Sequence, residues 1–306
     1  MAFPTVMERY GDPDAETVLI QMTDRRELPG LEREAAILSG LTDLPYQLVA
    51  VAAEDWNRDL SAWEAPPVFG GKAFGSGAAG TLAWLLDELL PSMRAGGKER
   101  FFYLGGYSLA GLFALWAAYQ TDRFAGIAAV SPSVWFPGFT EYTRRRGIRT
   151  RAVYMSLGDR EERTRNPDMA RVGDAAREIA GRLTESGLPC CLEWNPGNHF
   201  REPERRTARG FAWLLDRRAR QLRRIERCEA FLTLAQRALD LPEGSPQDPA
   251  AVREAVSALR DYYESDDWKQ DFLDDEAGIL PGSLRRGVLS EDGIYNVLEA
   301  FEDRDI

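Results

Sequence analysis

Histidine is nearly absent from this chain: 306 residues contain one, His199. Imidazole proton transfer therefore has a single candidate, and a histidine-rich metal centre has no material. Cysteine is also scarce, at three residues, two of them the adjacent Cys190 and Cys191. That number and spacing provide neither a disulfide framework nor a zinc site, and the adjacent pair reads as part of a buried strand. No apolar run approaches the ~20 residues of a membrane-spanning helix. The start, Met1 to Arg9, lacks a basic region followed by a long apolar one, so no signal peptide is expected. Together these features point to a reducing cytoplasm. A net positive charge is lacking too. The net charge of −11 argues against nucleic acid as a partner, because binding phosphates needs a basic surface. Internal repeats and low-complexity tracts are missing, and no metal site is expected.

The negative charge is unevenly placed. Residues 221–306 hold 20 acidic and 10 basic residues, against 29 and 28 in the first 220. The asymmetry predicts two domains, 1–220 and a small acidic one, 221–306. Hydrophobic content of 44% gives ample material for a core in the larger one.

The first 220 residues alternate strand and helix patterns. Thr17–Met22, Tyr46–Val51, Phe101–Tyr107, Phe124–Ser131, Ala152–Leu157 and Cys190–Trp194 read as strands. Helical patterns fall at Leu31–Ser39, stopped by Gly40, and along Leu82, Leu85, Leu86, Leu89 and Leu90. Others run along Met169, Val172, Ala176, Ile179 and Leu183, and along Phe211, Leu214 and Leu215. Glu54–Gly77, rich in Trp, Pro and Gly, reads as one long loop. This alternation predicts an α/β fold with a mostly parallel central sheet flanked by helices. After residue 221 only helical patterns remain, predicting a small all-α domain. Its stripes are Ile225–Leu239 and Val252–Tyr263, separated by a turn-rich break at Pro242–Pro249, with a short third helix after Ser290. The acidic run Asp266, Asp267, Asp271, Asp274, Asp275, Glu276 lacks calcium-loop spacing and reads as a solvated face.

One segment carries chemistry. Gly106-x-Ser108-x-Ala110-Gly111 sits between an apolar strand and an apolar helical run. It is close to the G-x-S-x-G nucleophile elbow, with Ala110 in the last small position. An elbow exposes its serine, and the helix start offers the Leu109 N–H to an oxyanion. His199 follows the last strand in Gly197-Asn198-His199. Between them, the loop Gly158-Asp159-Arg160-Glu161-Glu162-Arg163 offers three carboxylates. Glu161, three after the glycine, has the usual spacing for a triad acid; Asp159 and Glu162 stay open as alternatives, as does a solvated loop. Serine, acid, histidine is the α/β-hydrolase order. A second oxyanion donor belongs after the first buried strand, at Thr23, with Asp24 expected to point outward. Trp56, Trp63 and Trp135, with Tyr107, are candidates for the substrate pocket wall.

These segments, with Ser131-Pro132-Ser133-Val134-Trp135, resemble the branch of the α/β hydrolases that includes esterase D and the enterobactin (ferric-siderophore) esterases. The resemblance covers residues 15–220. It implies hydrolysis of a small-molecule carboxylic ester through an acyl-enzyme, with Ser108, His199 and Glu161 in the catalytic roles and no cofactor. Some relatives resemble a dyad rather than a triad. Tyr262-Tyr263, Asp267-Trp268, Leu280-Pro281 and Gly287 to Tyr295 are similar to a small helical bacterial domain family of unknown function, over residues 223–300. The competing expectation is a hydrolase scaffold that binds or regulates without catalysis.

Overall fold

A computed structural model describes residues 5–68, 71–94, 97, 99–241 and 248–302. The chain divides into two compact units, Met1–Asp216 and Arg217–Ile306.

The first unit is built on a seven-stranded sheet. Its strands are β1 (Thr5–Gly11), β2 (Thr17–Thr23), β3 (Tyr46–Ala52), β4 (Phe101–Tyr107), β5 (Gly126–Val130), β6 (Val153–Gly158) and β7 (Cys190–Asn195). They lie in the order β1-β3-β2-β4-β5-β6-β7, and only β1 is antiparallel to its neighbour. Strands β2 to β6 are buried along their whole length, as a parallel sheet covered on both faces requires. The edge strand β7 is only half-buried, so Cys190 and Cys191 are not the buried pair expected from the sequence. Strand β1 had no counterpart in the sequence reading.

The helices of this unit are α1 (Leu28–Ser39), α2 (Trp56–Asp59), α3 (Ala78–Trp84), α4 (Leu90–Met93), α5 (Leu109–Ala117), α6 (Phe139–Arg144), α7 (Pro167–Ala170), α8 (Val172–Glu185) and the start of α9 (Pro203–Asp240). A π-helical turn, Leu85–Leu89, joins α3 to α4, and Leu82, Leu85, Leu89 and Leu90 are buried along the run. The segment 54–77 is not a plain loop: it contains α2 and a bridge between Ala65 and Phe74. Helix α5 is buried on every side beneath the sheet.

The second unit holds the rest of α9, then α10 (Pro249–Tyr263), α11 (Asp266–Glu276) and α12 (Glu291–Glu302). The two helices expected around Leu214 and Ile225 are thus one, Pro203–Asp240. Residues 242–247 of the expected break lie outside the described residues. The acidic run forms α11, and it is not simply a solvated face: Asp271 is fully buried and Asp274 nearly so. Asp271 accepts hydrogen bonds from Arg224, Gln221 and Tyr262. A buried carboxylate persists only with partners of this kind.

Candidate active site

The site grows from the turn between β4 and α5. Ser108 has φ 60° and ψ −119°, a strained conformation for a residue with a side chain. The fold holds it there: the Ser108 N–H donates to Val130 O at 2.9 Å, and the Ser108 carbonyl accepts from Leu112 and Ser133 N–H groups at 3.1 Å each. The small flanking residues are a matter of space. A Cβ on Gly106 would come within 2.5 Å of the Ala110 Cβ and 3.0 Å of Met22 O. Gly106 is therefore what lets Ala110 stand where a second glycine would be expected.

The turn places Ser108 past the carboxyl end of a central strand, where ligands of such sheets bind. The loops after β6 and β7 arrive at the same end. They touch closely, since a Cβ on Gly158 would lie 2.4 Å from Gly197 O. His199 Nε2 is 3.0 Å from Ser108 Oγ, and His199 Nδ1 is 2.7 Å from Glu161 Oε2. The Glu161 side chain is 4% exposed and that of His199 26%.

The three carboxylates of the acid loop have separate environments. Asp159 accepts the Gly197 N–H at 2.8 Å, and Glu162 pairs with Arg177 at 3.0 Å on the surface. Glu161 is the one turned inward. Its second oxygen, Oε1, accepts from the Gly158 N–H at 2.6 Å, the Ser131 hydroxyl at 2.8 Å and Arg206 Nη2 at 2.7 Å. Burial by itself would raise the Glu161 pKa. The hydrogen bond and charge of His199, with Arg206 and the Gly158 N–H, outweigh burial and hold it at about 2.

Arg206 is the functional-looking residue that sequence reasoning missed. It is 2% exposed. Besides Glu161, it donates to the Ser131 hydroxyl through Nη2, and through Nη1 to Tyr107 Oη at 2.9 Å and Asn198 O at 3.4 Å. Tyr107 in turn donates to the His199 carbonyl, and burial pushes its phenol up to about 12. The one sequence signal for Arg206 is its place on the margin of the buried stripe Thr207, Phe211, Leu214. Ser133 and Phe200 were also missed. Ser133 Oγ lies 3.4 Å from Ser108 Oγ. Phe200 is 84% exposed, with its ring 5.3 Å from the His199 ring and edge-on to it.

Thr23 ends β2 beside β4, where Met22 pairs with Gly106. Its hydroxyl donates to Glu27 at 2.9 Å. The Asp24 carboxylate is bound by the exposed Arg26 at 2.7 Å, and that hydrogen bond lowers its pKa. Leu109 opens α5, and a first-turn N–H has no carbonyl within its own helix. Of the proposed pocket residues, Tyr107 touches His199, with ring centroids 5.2 Å apart. Trp56, Trp63 and Trp135 are half-buried and pack against the hydrophobic core. A cleft of about 490 Å³ beside Trp63 and another of about 240 Å³ beside Trp135 include neither Ser108 nor His199. Among the described residues no group of three His, Cys, Asp or Glu side chains is arranged to hold a metal ion.

The sheet order, the strained serine after its central strand and the loops converging on it define an α/β-hydrolase fold in the first unit. Comparison with solved structures shows the same fold. The chain is similar to an IroE-like serine hydrolase from Shewanella oneidensis, at 15% identity over 95% of this chain and 91% of that one, TM-score 0.56. It is also similar to the siderophore hydrolase EstA from Aspergillus nidulans, at 18% identity over 67% of this chain and 84% of that one, TM-score 0.52. In the second unit, residues 225–304 match the family described as a domain of unknown function, DUF4298. No curated protein matches the chain. No helix among the described residues is long and apolar enough to cross a membrane.

Proposed function

We propose that the chain is a serine hydrolase that cleaves carboxylic esters through an acyl-enzyme intermediate. The observation that carries this reading is the unbroken hydrogen-bonded relay from Ser108 Oγ through His199 to a buried, ionised Glu161, set at a strained strand-to-helix turn. Ser108 attacks the ester carbonyl while His199 Nε2 takes its proton. Glu161, bound at Nδ1, fixes the imidazole tautomer and stabilises the imidazolium. The backbone N–H of Leu109 and the backbone at Thr23 receive the oxyanion. Collapse of the tetrahedral intermediate expels the alcohol, which takes the proton from His199. Water, activated by the same imidazole, then releases the acid and frees Ser108.

The substrate is a small ester, and the exposed Phe200 ring, edge-on to His199, is an apolar surface beside the base. The names of the similar solved structures support including a siderophore ester in any substrate panel. The three free thiols fit a reducing compartment such as the cytoplasm.

The test pairs a fluorophosphonate probe with a panel of p-nitrophenyl esters. Wild-type protein is expected to take one label, on Ser108, and to hydrolyse short-chain esters. Ser108→Ala and His199→Ala should each lose about three or more orders of magnitude in kcat while staying folded, because serine and base act as one unit. No second histidine is available to substitute. An unlabelled, inactive wild type would leave a binding scaffold as the better reading.

A further inference from the structure

We infer that Arg206 is the positioning residue of this site: one buried guanidinium that fixes the nucleophile strand, the acid and the histidine loop in a common register. The inference rests on the hydrolase reading above.

The contacts are specific to the three parts. Arg206 Nη2 reaches Glu161 directly, at 2.7 Å. Nη1 reaches Tyr107 Oη at 2.9 Å and Asn198 O at 3.4 Å. Tyr107 immediately precedes Ser108, and Asn198 immediately precedes His199. The guanidinium carbon also lies over the Tyr107 ring, 5.5 Å from its centroid. Tyr107 closes the circuit by donating to the His199 carbonyl. A planar fork of donors can serve these points at once, and an ammonium cannot.

The arrangement also settles which carboxylate oxygen does what. Oε1 of Glu161 is saturated by Gly158 N–H, the Ser131 hydroxyl and Arg206. Oε2 is left for His199 Nδ1. With Oε1 held, the carboxylate cannot rotate away from the imidazole. Burying a guanidinium is unfavourable unless it is paired and hydrogen-bonded, and here nearly every partner belongs to the site.

A merely structural ion pair would affect stability alone. A positioning role also changes proton chemistry, and in one direction. Without Arg206, Glu161 loses a donor and a positive neighbour, so it protonates at higher pH. Removing a positive charge from beside the site moves the acidic limb of the kcat/KM profile toward higher pH.

The experiment uses the full chain and p-nitrophenyl acetate, with circular dichroism to verify folding and fluorophosphonate labelling of wild type as the reference. Arg206→Met is expected to lower kcat about tenfold or more, leave KM within about twofold and shift the acidic limb up by about half a pH unit or more. Arg206→Lys keeps the charge but not the fork, so the limb should hold while kcat is only partly restored. Tyr107→Phe, which removes two links and no charge, should lower kcat with the limb unmoved. If Arg206→Met does not fold, the Lys variant decides: a folded Arg206→Lys with wild-type kcat overturns the inference. So does a folded Arg206→Met with wild-type kcat and pH profile, in a protein whose Ser108 labels normally. Failure of wild type to label at Ser108 is a different result, which removes the hydrolase reading and this inference with it.

Discussion

Glu161→Gln is the most informative single substitution, because the structure dictates how the amide must sit. Gln has one oxygen and one NH₂ where Glu161 has two oxygens. The Oε1 position faces three donors, from Gly158, Ser131 and Arg206, so an NH₂ placed there would meet N–H groups head-on. The amide oxygen therefore takes the Oε1 position, and the NH₂ points at His199 Nδ1. That nitrogen must then accept, which places the imidazole proton on Nε2, facing Ser108 Oγ. A protonated Nε2 cannot take the serine proton. Imposing the wrong tautomer on a serine triad lowers kcat by ~10⁴, equivalent to ~5 kcal/mol of transition-state stabilisation. Gln also leaves the buried Arg206 without its counter-charge, and losing one member of a buried pair destabilises by ~3–5 kcal/mol. Rates should accordingly be measured well below the melting temperature and normalised to the folded fraction. Steady-state hydrolysis of p-nitrophenyl acetate reads the effect, with Asp159→Asn and Glu162→Gln as controls. Glu162 sits in an exposed pair with Arg177, worth ~1 kcal/mol or less. A folded Glu161→Gln enzyme retaining more than about a tenth of wild-type kcat would refute the tautomer argument and leave Ser108 and His199 working as a dyad. A deeper loss in Asp159→Asn would transfer the acid role to that residue.

Three further outcomes are expected. The Glu161 carboxyl is held at about 2 when folded and returns to the ordinary range when unfolded, so its stabilising contribution is complete above pH ~4.5 and is lost as pH falls toward ~2. Urea melts of wild type and Glu161→Gln should converge by roughly 3 kcal/mol across that window, and a constant gap would contradict the assignment. In the second unit, Asp271→Ala strips the acceptor from Arg224, Gln221 and Tyr262. Melts of the full chain should show ~3–5 kcal/mol of destabilisation without loss of ester hydrolysis at low temperature, and an unchanged melt would mean the cluster is solvated after all. A chain ending at Arg220 retains Ser108, His199, Glu161 and Arg206, and is expected to fold and hydrolyse short-chain esters. A folded but inactive fragment would show that residues beyond 220 help build the site.

Much of the sheet was legible because parallel strands buried on both faces are largely apolar runs, as Thr17–Met22 and Phe101–Tyr107 are. Strand β1 was not, because it is an antiparallel edge in which Glu8 and Arg9 interrupt the apolar pattern. The continuity of α9 was hidden by Arg217, Arg218, Arg220, Gln221, Arg223 and Arg224. These residues favour helix but form no apolar stripe, so one helix reads as two. Asp271 was misread because composition cannot distinguish a carboxylate facing water from one facing Arg224 and Tyr262. Ser108 and His199 stood out by position, one in a small-residue turn and the other as the lone imidazole after a strand. Arg206 stands among Arg201, Arg205 and Arg209, and only the folded chain distinguishes the one that turns inward.

The lone imidazole, held at both ring nitrogens between Ser108 and Glu161, makes the molecule its own instrument. An isotope label placed on histidine yields a single ring signal, with no crowding and no assignment problem. That signal originates between the Ser108 hydroxyl and the Glu161 carboxylate. Binding of a ligand or probe at Ser108 can then be followed through one resonance, in the unmutated chain. An acylating reagent selective for imidazole likewise has one address, at a side chain 26% open to solvent. A protein with a scatter of surface histidines would report its average surface; this one reports the space between Ser108 and Glu161.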